Sequence, residues 1–454
     1  MDIRIQLNSF FYNLMINKMK KSYLFSAFAA GMVMLSACSN DGDLTGGDES
    51  NDAVQEIVLQ VANAGEGLQT RAGRPLYSSE AKQSIENVKV FICDAAGKIV
   101  KIESYNKWNT EDSKTYGSAG NGHGREKVIK YTGNDKLPKG TYEIYAYGFH
   151  SGSDYTGLET KMSSLAIGKP LDKNIILECS AVGEEIFAGS TTQFTIDDKN
   201  PGFYQTVVLN RQVSGTFGYF ESIPYIAGAT KLELVASNPN KSLVLGGFNS
   251  FDLPSNGTGN GGNVKYVVNG TTASENKVIY TIDLRKWFTA IVDNDHDGLI
   301  DAGENWNNTA ITSGAKFKTG SVFGGSFLIP FQKNENQTFV LKLVNDKNES
   351  LREWAVKLPS GDGQLSNYTL SYWNSTATAP KFATSSATDE ADKYSVVRNH
   401  LYGIGERALD EPSNPDKPDP SNPDPDKPEP LNKKQELTLR VNDNWEVIHK
   451  MELE

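Results

Sequence analysis

The stretch LTLRVNDNWEVIHKMEL, residues 437–453, alternates apolar and polar side chains along its length. Seven of its nine odd-numbered residues are apolar, whereas Ile448 is the only apolar residue among the eight even-numbered ones. Since successive side chains of an extended chain point to opposite sides, this pattern predicts a β-strand with one apolar face. Such a face needs a partner, and we expect the strand to dock either on its own chain or on another molecule.

A proline-rich stretch precedes this strand. Glu411 to Pro430 contains eight prolines among Asp, Asn, Ser and Lys, a composition typical of an extended, solvated coil. We therefore expect a linker at 410–432, which gives the terminal strand reach, and the strand itself at 433–454. Its apolar face would consist of Leu437, Leu439, Val441, Trp445, Val447, Met451 and Leu453.

The remaining chain favours an all-β fold. Runs rich in Val, Ile, Thr and Tyr are separated by short turn signals, as in IENVKVFI at 85–92 followed by a second run at 99–102. We expect two tandem β-sandwich domains of transthyretin or immunoglobulin-like type, at 72–203 and 204–409, with minor helices such as 283–290. No internal repeat is obvious. The net charge of −11 argues against nucleic acid as a partner.

The N-terminus has the features of an export signal. Lys18, Lys20 and Lys21 precede an apolar run that is too short to span a bilayer as a permanent helix and that ends in Leu-Ser-Ala-Cys at Cys38. Small residues before a cysteine resemble a bacterial lipobox, so 1–37 is expected to be a lipoprotein signal peptide and Cys38 the lipidated residue. An ordinary signal peptide with a chance cysteine is the alternative, and translation can start at Met1 or Met19.

Five segments in a fixed order resemble the fimbrillin family of Bacteroidales type V pili, and most closely the shaft subunits of the minor-fimbrium kind. They are the lipobox at Cys38, Thr70-Arg71-Ala72-Gly73, Leu209-Asn210-Arg211-Gln212-Val213 leading into Phe217 to Pro224, the run from Ser395 to Tyr402, and the proline-rich linker with its terminal strand. The segment Tyr402 to Glu406 departs from the family pattern, because it shortens a strand that family members often continue.

The resemblance implies a function and a maturation step. Family members reach the outer membrane as lipid-anchored precursors, an arginine-specific protease removes their first strand, and the C-terminal donor strand of an identical or related fimbrial subunit fills the groove in the extracellular fimbrium. Carried over, cleavage falls between Arg71 and Ala72, the propeptide is 38–71, and the removed strand is 54–61. Arg74 is the poorer site, because proteases generally reject the proline that follows it, Pro75. The alternative is a self-contained surface lipoprotein, or a tip or accessory adhesin, that binds glycans or host proteins.

A second motif lies outside that resemblance. The loop DNDHDGLIDAGE, residues 293–304, matches the spacing of an EF-hand calcium loop at each key position. Side-chain oxygens are expected from Asp293, Asp295, Asp297, Asp301 and Glu304, and a backbone carbonyl from Leu299. We expect structural Ca²⁺ here, with an acidic surface turn as the alternative.

The sequence predicts neither an enzyme nor a redox or organic cofactor. The five histidines, His123, His150, His296, His400 and His449, are scattered without metal-ligand spacing, and no nucleophile or phosphate-loop motif occurs in a suitable setting. Cys93 and Cys179 lie in strand-like apolar runs, where we expect buried thiols, with a disulfide as the alternative.

Overall fold

The computed structural model describes residues 53–62, 85–116, 124–172, 175–179, 183–245, 265–268, 275–307, 317–331, 338–357, 369–374, 381–386, 396, 398, 401–405, 428–433, 435–438 and 440–442. Several predicted features lie outside these residues. They are the signal peptide, Cys38, Arg71, Ala72, Leu439, Trp445, Val447, Met451 and Leu453.

The fold is all-β, as the sequence predicts. The strands are β1 Gln55–Ala62, β2 Asn87–Asp94, β3 Ile99–Tyr105, β4 Lys114–Tyr116, β5 Gly124–Tyr131, β6 Gly140–Phe149, β7 Ile175–Glu178, β8 Ile186–Ser190, β9 Phe194–Ile196, β10 Phe203–Arg211, β11 Ser214–Glu221, β12 Ile223–Pro224, β13 Ala229–Ala236, β14 Ser242–Leu245, β15 Lys265–Val268, β16 Lys277–Asp283, β17 Leu299–Ile300, β18 Val322–Leu328, β19 Phe339–Asn345, β20 Ser350–Lys357, β21 Thr369–Asn374, β22 Lys381–Ser386, β23 Leu401–Ile404, β24 Glu429–Pro430, β25 Glu436–Thr438 and β26 Arg440–Asn442. In the described part of the chain, no helix is long and apolar enough to cross a membrane.

Helical structure in the described residues is short. The α-helix α1 spans Leu158–Ser164, single 3₁₀ turns lie at Gly133–Asp135 and Leu284–Lys286, and a π turn lies at Trp108–Asp112. The helix predicted at 283–290 is therefore wrong in extent. Asp283 caps the 3₁₀ turn by accepting a hydrogen bond from Arg285 N, and the next residues, Trp287 and Phe288, are buried in the core instead of continuing a helix.

The first half of the chain forms a nine-stranded sheet with the order β3-β2-β6-β8-β10-β1-β5-β4, and β9 also pairs with β6. The hairpin predicted from 85–92 and 99–102 is confirmed, since β2 and β3 pair antiparallel. Asp94 shapes its turn by accepting hydrogen bonds from Ala96 N and Lys98 N, both at 2.9 Å. The N-terminal strand β1 lies inside this sheet, parallel to β10 and antiparallel to β5.

The second half contains two five-stranded sheets. One has the order β18-β11-β23-β26, with β24 also beside β11, and the other has the order β16-β13-β19-β20-β25. Phe220, Leu234, Leu341 and Trp354 contribute to one buried cluster made from both sheets. Two sheets that share an apolar core form a β-sandwich.

The two halves share a further core. Cys93 and Cys179 are both buried in it, as expected for thiols that pack as small hydrophobic groups, and Leu243 and Ile329 of the second half join them. Strands β7 and β14 also pair across the halves. By sheet membership the change comes between the end of β10 at Arg211 and the start of β11 at Ser214, whereas the predicted boundary at 203/204 falls at the start of β10.

The chain returns to its own sandwich after the proline-rich stretch. Residues 406–427 lie outside the described part, but β24 at Glu429–Pro430 pairs with β11, and Leu431 is fully buried in the core. Residues 429–431, which belong to the predicted linker, thus lie against the protein's own sheet. The chain then changes sheets, because β25 pairs with β20 and β26 pairs with β23.

Candidate functional site

Strand β1 fills a slot between β10 and β5. Each of its residues from Gln55 to Val61 has a partner on both sides, so that Ile57 lies opposite Gln205 of β10 and Ile129 of β5. Ile57, Leu59 and Val61 face a core cluster and have no exposed surface. A strand in this position satisfies the backbone hydrogen-bonding groups of two neighbours and completes the core beneath them.

The slot has a polar end at Gln55, which is only 2% exposed. The Gln55 amide donates a hydrogen bond from Nε2 to Leu137 O at 3.1 Å and accepts one at Oε1 from Leu137 N at 2.7 Å. Both backbone groups of Leu137 are thus satisfied by one side chain. Because a buried amide needs partners on both of its ends, this pair fixes where a strand can begin in the slot.

On the opposite face of β1, the buried Val58 lies between two half-exposed polar residues, Glu56 and Gln60. Glu56 lies opposite Lys130 of β5, and Lys130 Nζ is 3.3 Å from Glu56 Oε2. Gln60 lies opposite Glu126, whose carboxylate is 3.6 Å from Lys114 Nζ. This face of the slot therefore has a positive group near one end and a negative group near the other.

Two tyrosines beside β1 have raised pKa values. Burial and the neighbouring Glu103 carboxylate raise the pKa of Tyr131, which lies opposite Gln55. Burial also raises the pKa of Tyr204, which lies opposite Glu56 on β10. Both phenols are neutral at neutral pH, and both gain part of their surroundings from β1.

The slot is occupied by a segment with one covalent connection to the described sheet. Strand β1 is joined to Ile85 and the rest of the sheet only through residues 63–84, the segment that contains Arg71 and Ala72. One cut in that segment would leave β1 held by non-covalent contacts alone. The predicted removable strand, 54–61, coincides with β1 within one residue at each end.

The C-terminal residues predicted as a donor strand are bound to their own chain where they are described. Leu437 is 1% exposed in the core of the second half, and Val441 lies in β26, opposite Tyr402. Gln435 accepts a hydrogen bond at its backbone oxygen from Ala355 N, at 3.2 Å, while its side chain is exposed. The structure therefore brings Leu437 and Val441 onto two different sheets and places neither in the β1 slot.

Leu431 holds the chain just before that segment. Its backbone N donates to Glu221 O at 3.0 Å, and its backbone O accepts from Trp354 Nε1 at 3.1 Å. Leu431 and Trp354 are both fully buried. These contacts make residues 429–431 a part of the second sandwich, independently of what lies before or after them.

The acidic loop 293–304 gathers three carboxylates. One oxygen from each of Asp293, Asp295 and Asp297 lies within 4.8 Å of the other two. Asp293 accepts hydrogen bonds from Asp297 N at 3.1 Å and Gly298 N at 3.0 Å, which curl the loop around its own side chains. Gly298 has φ +83°, a conformation that glycine adopts without strain.

Glu304 closes the loop from inside the protein. It has no exposed surface, and its carboxylate accepts hydrogen bonds from Asp301 N at 2.7 Å and Asn294 N at 3.3 Å. Its Oε atoms therefore lie near both ends of the loop. The donor set, which is hard carboxylate oxygens on a glycine-turned loop, fits the chemistry of Ca²⁺.

The loop is joined to the second sandwich. Ile300 is buried and pairs with Ile223 of β12, next to the Leu299–Pro224 pair. Tyr225 N donates to Gly298 O at 2.9 Å. Strand β12 follows β11 directly, so the loop supports the end of β11 on which Glu429 and Pro430 lie.

Sequence reasoning missed Gln55, Lys130 and Glu126. It identified 54–61 as a strand candidate and as the removed strand that the resemblance implies, and a polar residue at the start of a strand carries no signal in such a run. The ion pair and the Leu137 contact join residues that are far apart in sequence, so only the fold brings them together.

No protein-family model and no curated protein sequence matches the chain. Among solved structures, it is similar to a fimbrial assembly protein from Parabacteroides distasonis, at 11% identity and a TM-score of 0.32 over 78% of this chain and 92% of that one. Two others come from Porphyromonas gingivalis. The fimbrial anchor protein Mfa2 has 9% identity and a TM-score of 0.32, over 73% of this chain and 95% of that one. The tip fimbrial protein Mfa3, with C-terminal truncation, has 10% identity and a TM-score of 0.34, over 77% and 94%.

All three of these structures are of fimbrial proteins, and each is at most 11% identical to this chain.

Proposed function

We propose that this protein is a structural subunit of a cell-surface fimbrium that supports adhesion. In this proposal it is exported as an outer-membrane lipoprotein through Cys38, trimmed after Arg71 by an arginine-specific protease, and polymerised when the C-terminal strand of one copy fills the β1 slot of the next. The proposal rests mainly on the position of β1 in the sheet. Strand β1 is the first described strand of the chain, yet it lies between two other strands inside a nine-stranded sheet.

Because β1 lies inside the sheet, a single cut after Arg71 that releases it would expose both apolar core and unpaired backbone groups. Ile57, Val58, Leu59 and Val61 are buried, and each such side chain contributes about 1.5–3 kcal/mol relative to exposure. Loss of β1 would also leave the backbone groups of β10 and β5 without partners along the slot. A trimmed subunit would therefore have a strong preference for any strand that restores both the core and the ladder.

The C-terminal segment meets the general requirements for such a strand. Its apolar alternation matches a half-buried position, and its charged residues other than Asp443 face the other way. The Leu431 anchor would keep the preceding residues on their own sandwich while the part after Lys433 leaves. Neighbouring subunits would then be in direct contact, since only a few residues separate the anchor from Gln435.

Limited proteolysis tests this proposal. Treatment of the full chain with an arginine-specific protease is expected to give a new N-terminus at Ala72 and ladders on gels that disappear on heating. The matched pair of variants is Arg71→Lys, which should remain uncut and monomeric, and Arg74→Lys, which should behave as the parent. Deletion of 435–454 should give trimmed monomers only. Ladders that persist after that deletion would refute strand donation from this end.

A second candidate is a self-contained surface lipoprotein, or a tip or accessory adhesin, that binds glycans or host proteins. It is favoured by the pairing of β25 and β26 with the chain's own sheets, which leaves the second sandwich complete without a partner. Under this alternative, correctly trimmed protein stays monomeric at any concentration. Sedimentation of the trimmed parent therefore separates the two functions.

We also propose that the loop 293–304 binds Ca²⁺ as a structural brace. Asp293, Asp295, Asp297, Asp301 and Glu304 would supply side-chain oxygens, and Leu299 its backbone carbonyl. Support comes from the clustered carboxylates and from the buried Glu304. Bound calcium would offset the repulsion among these charges and hold the loop against β12.

A further inference from the structure

We propose that residues 435–441 of a second copy replace β1 residue for residue, with Gln435 in the position of Gln55. This inference rests on the strand exchange proposed above and fixes its register. The two segments read QEIVLQV at 55–61 and QELTLRV at 435–441. Four of the seven residues are identical at this spacing, and the likeness does not continue on either side.

The substitutions within this likeness suit the slot. On the core face, Ile57, Leu59 and Val61 correspond to Leu437, Leu439 and Val441, so the apolar volume is nearly unchanged. On the other face, Val58 corresponds to Thr438, which has the same branched shape. A strand with these residues in this register would fill the core that β1 fills now.

The buried amide selects the register. Leu137 N and O are both hydrogen-bonded to the side chain of Gln55, and Gln435 is the only glutamine between residues 433 and 454. A slip of two residues would place another side chain at Leu137 and leave buried polar groups without these partners. Gln435 is therefore a positioning residue for the exchange.

Charges on the other face favour the same register. Glu436 would take the place of Glu56 opposite Lys130, and Arg440 would take the place of Gln60 opposite Glu126. If the donor strand were shifted by four residues so that Glu436 took the position of Gln60, Glu436 would lie opposite Glu126. If it were shifted by four residues in the other direction, Arg440 would take the position of Glu56 and lie opposite Lys130. Like charges directly opposite each other on neighbouring strands are unfavourable, so both slips are penalised.

Cysteine pairs measure the register directly. Val58 lies opposite Val128 of β5, so Thr438 of a second copy should lie opposite Val128. The variant Thr438→Cys with Val128→Cys, trimmed at Arg71 and oxidised, is expected to give disulfide-linked ladders that survive heating without reductant. The control pairs combine Thr438→Cys with Glu126→Cys or Lys130→Cys, which lie two residues along β5 on the same face.

The outcomes separate this inference from the function on which it rests. Cross-linking through position 126 or 130 as efficient as through 128 would overturn the register, and so would heat-sensitive ladders in which no pair cross-links. Absence of ladders from the trimmed parent would overturn the exchange itself, and the register with it. Cys93 and Cys179 are buried, and the trimmed parent, which lacks the added cysteines, gives the background of cross-linking through them.

A second measurement tests Gln435 as the positioning residue. Because its side chain is exposed in the uncut protein, Gln435→Leu should leave that state intact. After trimming, this variant is expected to lose about tenfold in ladder formation, since the Leu137 groups stay buried without partners. Arg440→Gln restores the residue type found in β1 and should change the yield by less than about twofold. Equal yields from parent and Gln435→Leu would refute the role of the amide.

Discussion

Gly405 and Glu429 are neighbours along β11, although residues 406–428 separate them in the sequence. A Cβ atom on Gly405 would lie 3.1 Å from Glu429 N. Gly218 of β11 lies opposite Ile404 of β23, and Phe220, two residues further along β11, lies opposite Glu429 of β24. The strands β23 and β24 therefore line β11 as one continuous strand would. Gly405 has φ +77°, which suits a sharp departure of the chain at this point.

The proline-rich stretch is therefore expected to be dispensable for the fold. Replacing 406–427 with a Gly-Ser link should change the Tm by no more than about 5 °C, because the two ends already lie together and a shorter loop loses less entropy on closure. The same variant, once trimmed, should still form ladders, since Leu431 and not the linker holds the C-terminal segment.

A Gly/Ser segment of the original length is the control. Loss of ladders only in the short variant would show that the linker supplies reach.

Trimming is expected to lower the pKa of Tyr131. Burial beside β1 raises that pKa, so removing β1 should return it towards the ordinary value of about 10. In the uncut protein the neutral phenol contributes to stability below about pH 10, and that contribution is lost as the pH rises further, because the unfolded chain ionises first. Phenolate absorbance during a pH titration of cut and uncut protein measures the change.

The Tyr131 signal can be assigned with two variants. Tyr131→Phe should remove the difference between cut and uncut protein. Tyr280→Phe should not, because Tyr280 is buried in the core of the second half, where its pKa is raised without any contribution from β1. Identical titration curves before and after release of β1 would contradict the prediction.

Calcium is expected to raise the Tm of the parent and to do so much less in Asp295→Asn. This substitution keeps the shape of an exposed side chain while removing one of the three clustered charges, so the fold itself should not suffer. Thermal melts with Ca²⁺, with Mg²⁺ and with chelator give the comparison. Asp135→Asn, which removes an exposed carboxylate far from the loop in sequence, is the control. A parent that gains no thermal stability from Ca²⁺ would rule out the site.

Replacing Glu185 should destabilise the first half strongly. Arg211 donates from Nε and Nη2 to Glu185 Oε1 at 2.8 and 2.6 Å, and both side chains are buried. Removal of one partner from a buried pair costs about 3–5 kcal/mol. Chemical denaturation of Glu185→Ala should show that loss. Asp198→Ala, which removes the exposed partner of Lys139, should cost about 0–1 kcal/mol.

Local patterns predicted strands such as β1, β2 and β3. The strand at 54–61 and the hairpin at 85–102 depend on neighbours in sequence, and so does the clustering of Asp293, Asp295 and Asp297. Such features need no knowledge of distant residues, which is why a sequence reveals them.

The sequence alone did not predict which distant segments pair with each other. Alternation shows that Leu437 belongs to an apolar face, but it does not say which sheet that face meets, and the described residues 436–438 lie on β20 of the same chain. The similarity between residues 55–61 and 435–441 is present in the amino-acid sequence itself. Seven residues are too few to stand out as a repeat until the burial of Gln55 and the ion pair of Glu56 give the matching positions a meaning.

The parallel pairing of β1 with β10, together with its antiparallel pairing with β5, has one further consequence. A replacement strand can enter between them in a single direction only, and the surface that gives it differs from the surface that receives it. Contacts of this head-to-tail kind do not close into a symmetric dimer, and where they do not close into a ring, the proposed exchange would give a filament with two unlike ends. A subunit that accepts a strand and offers none would then stop growth at one end only, and the end with the open slot could still grow.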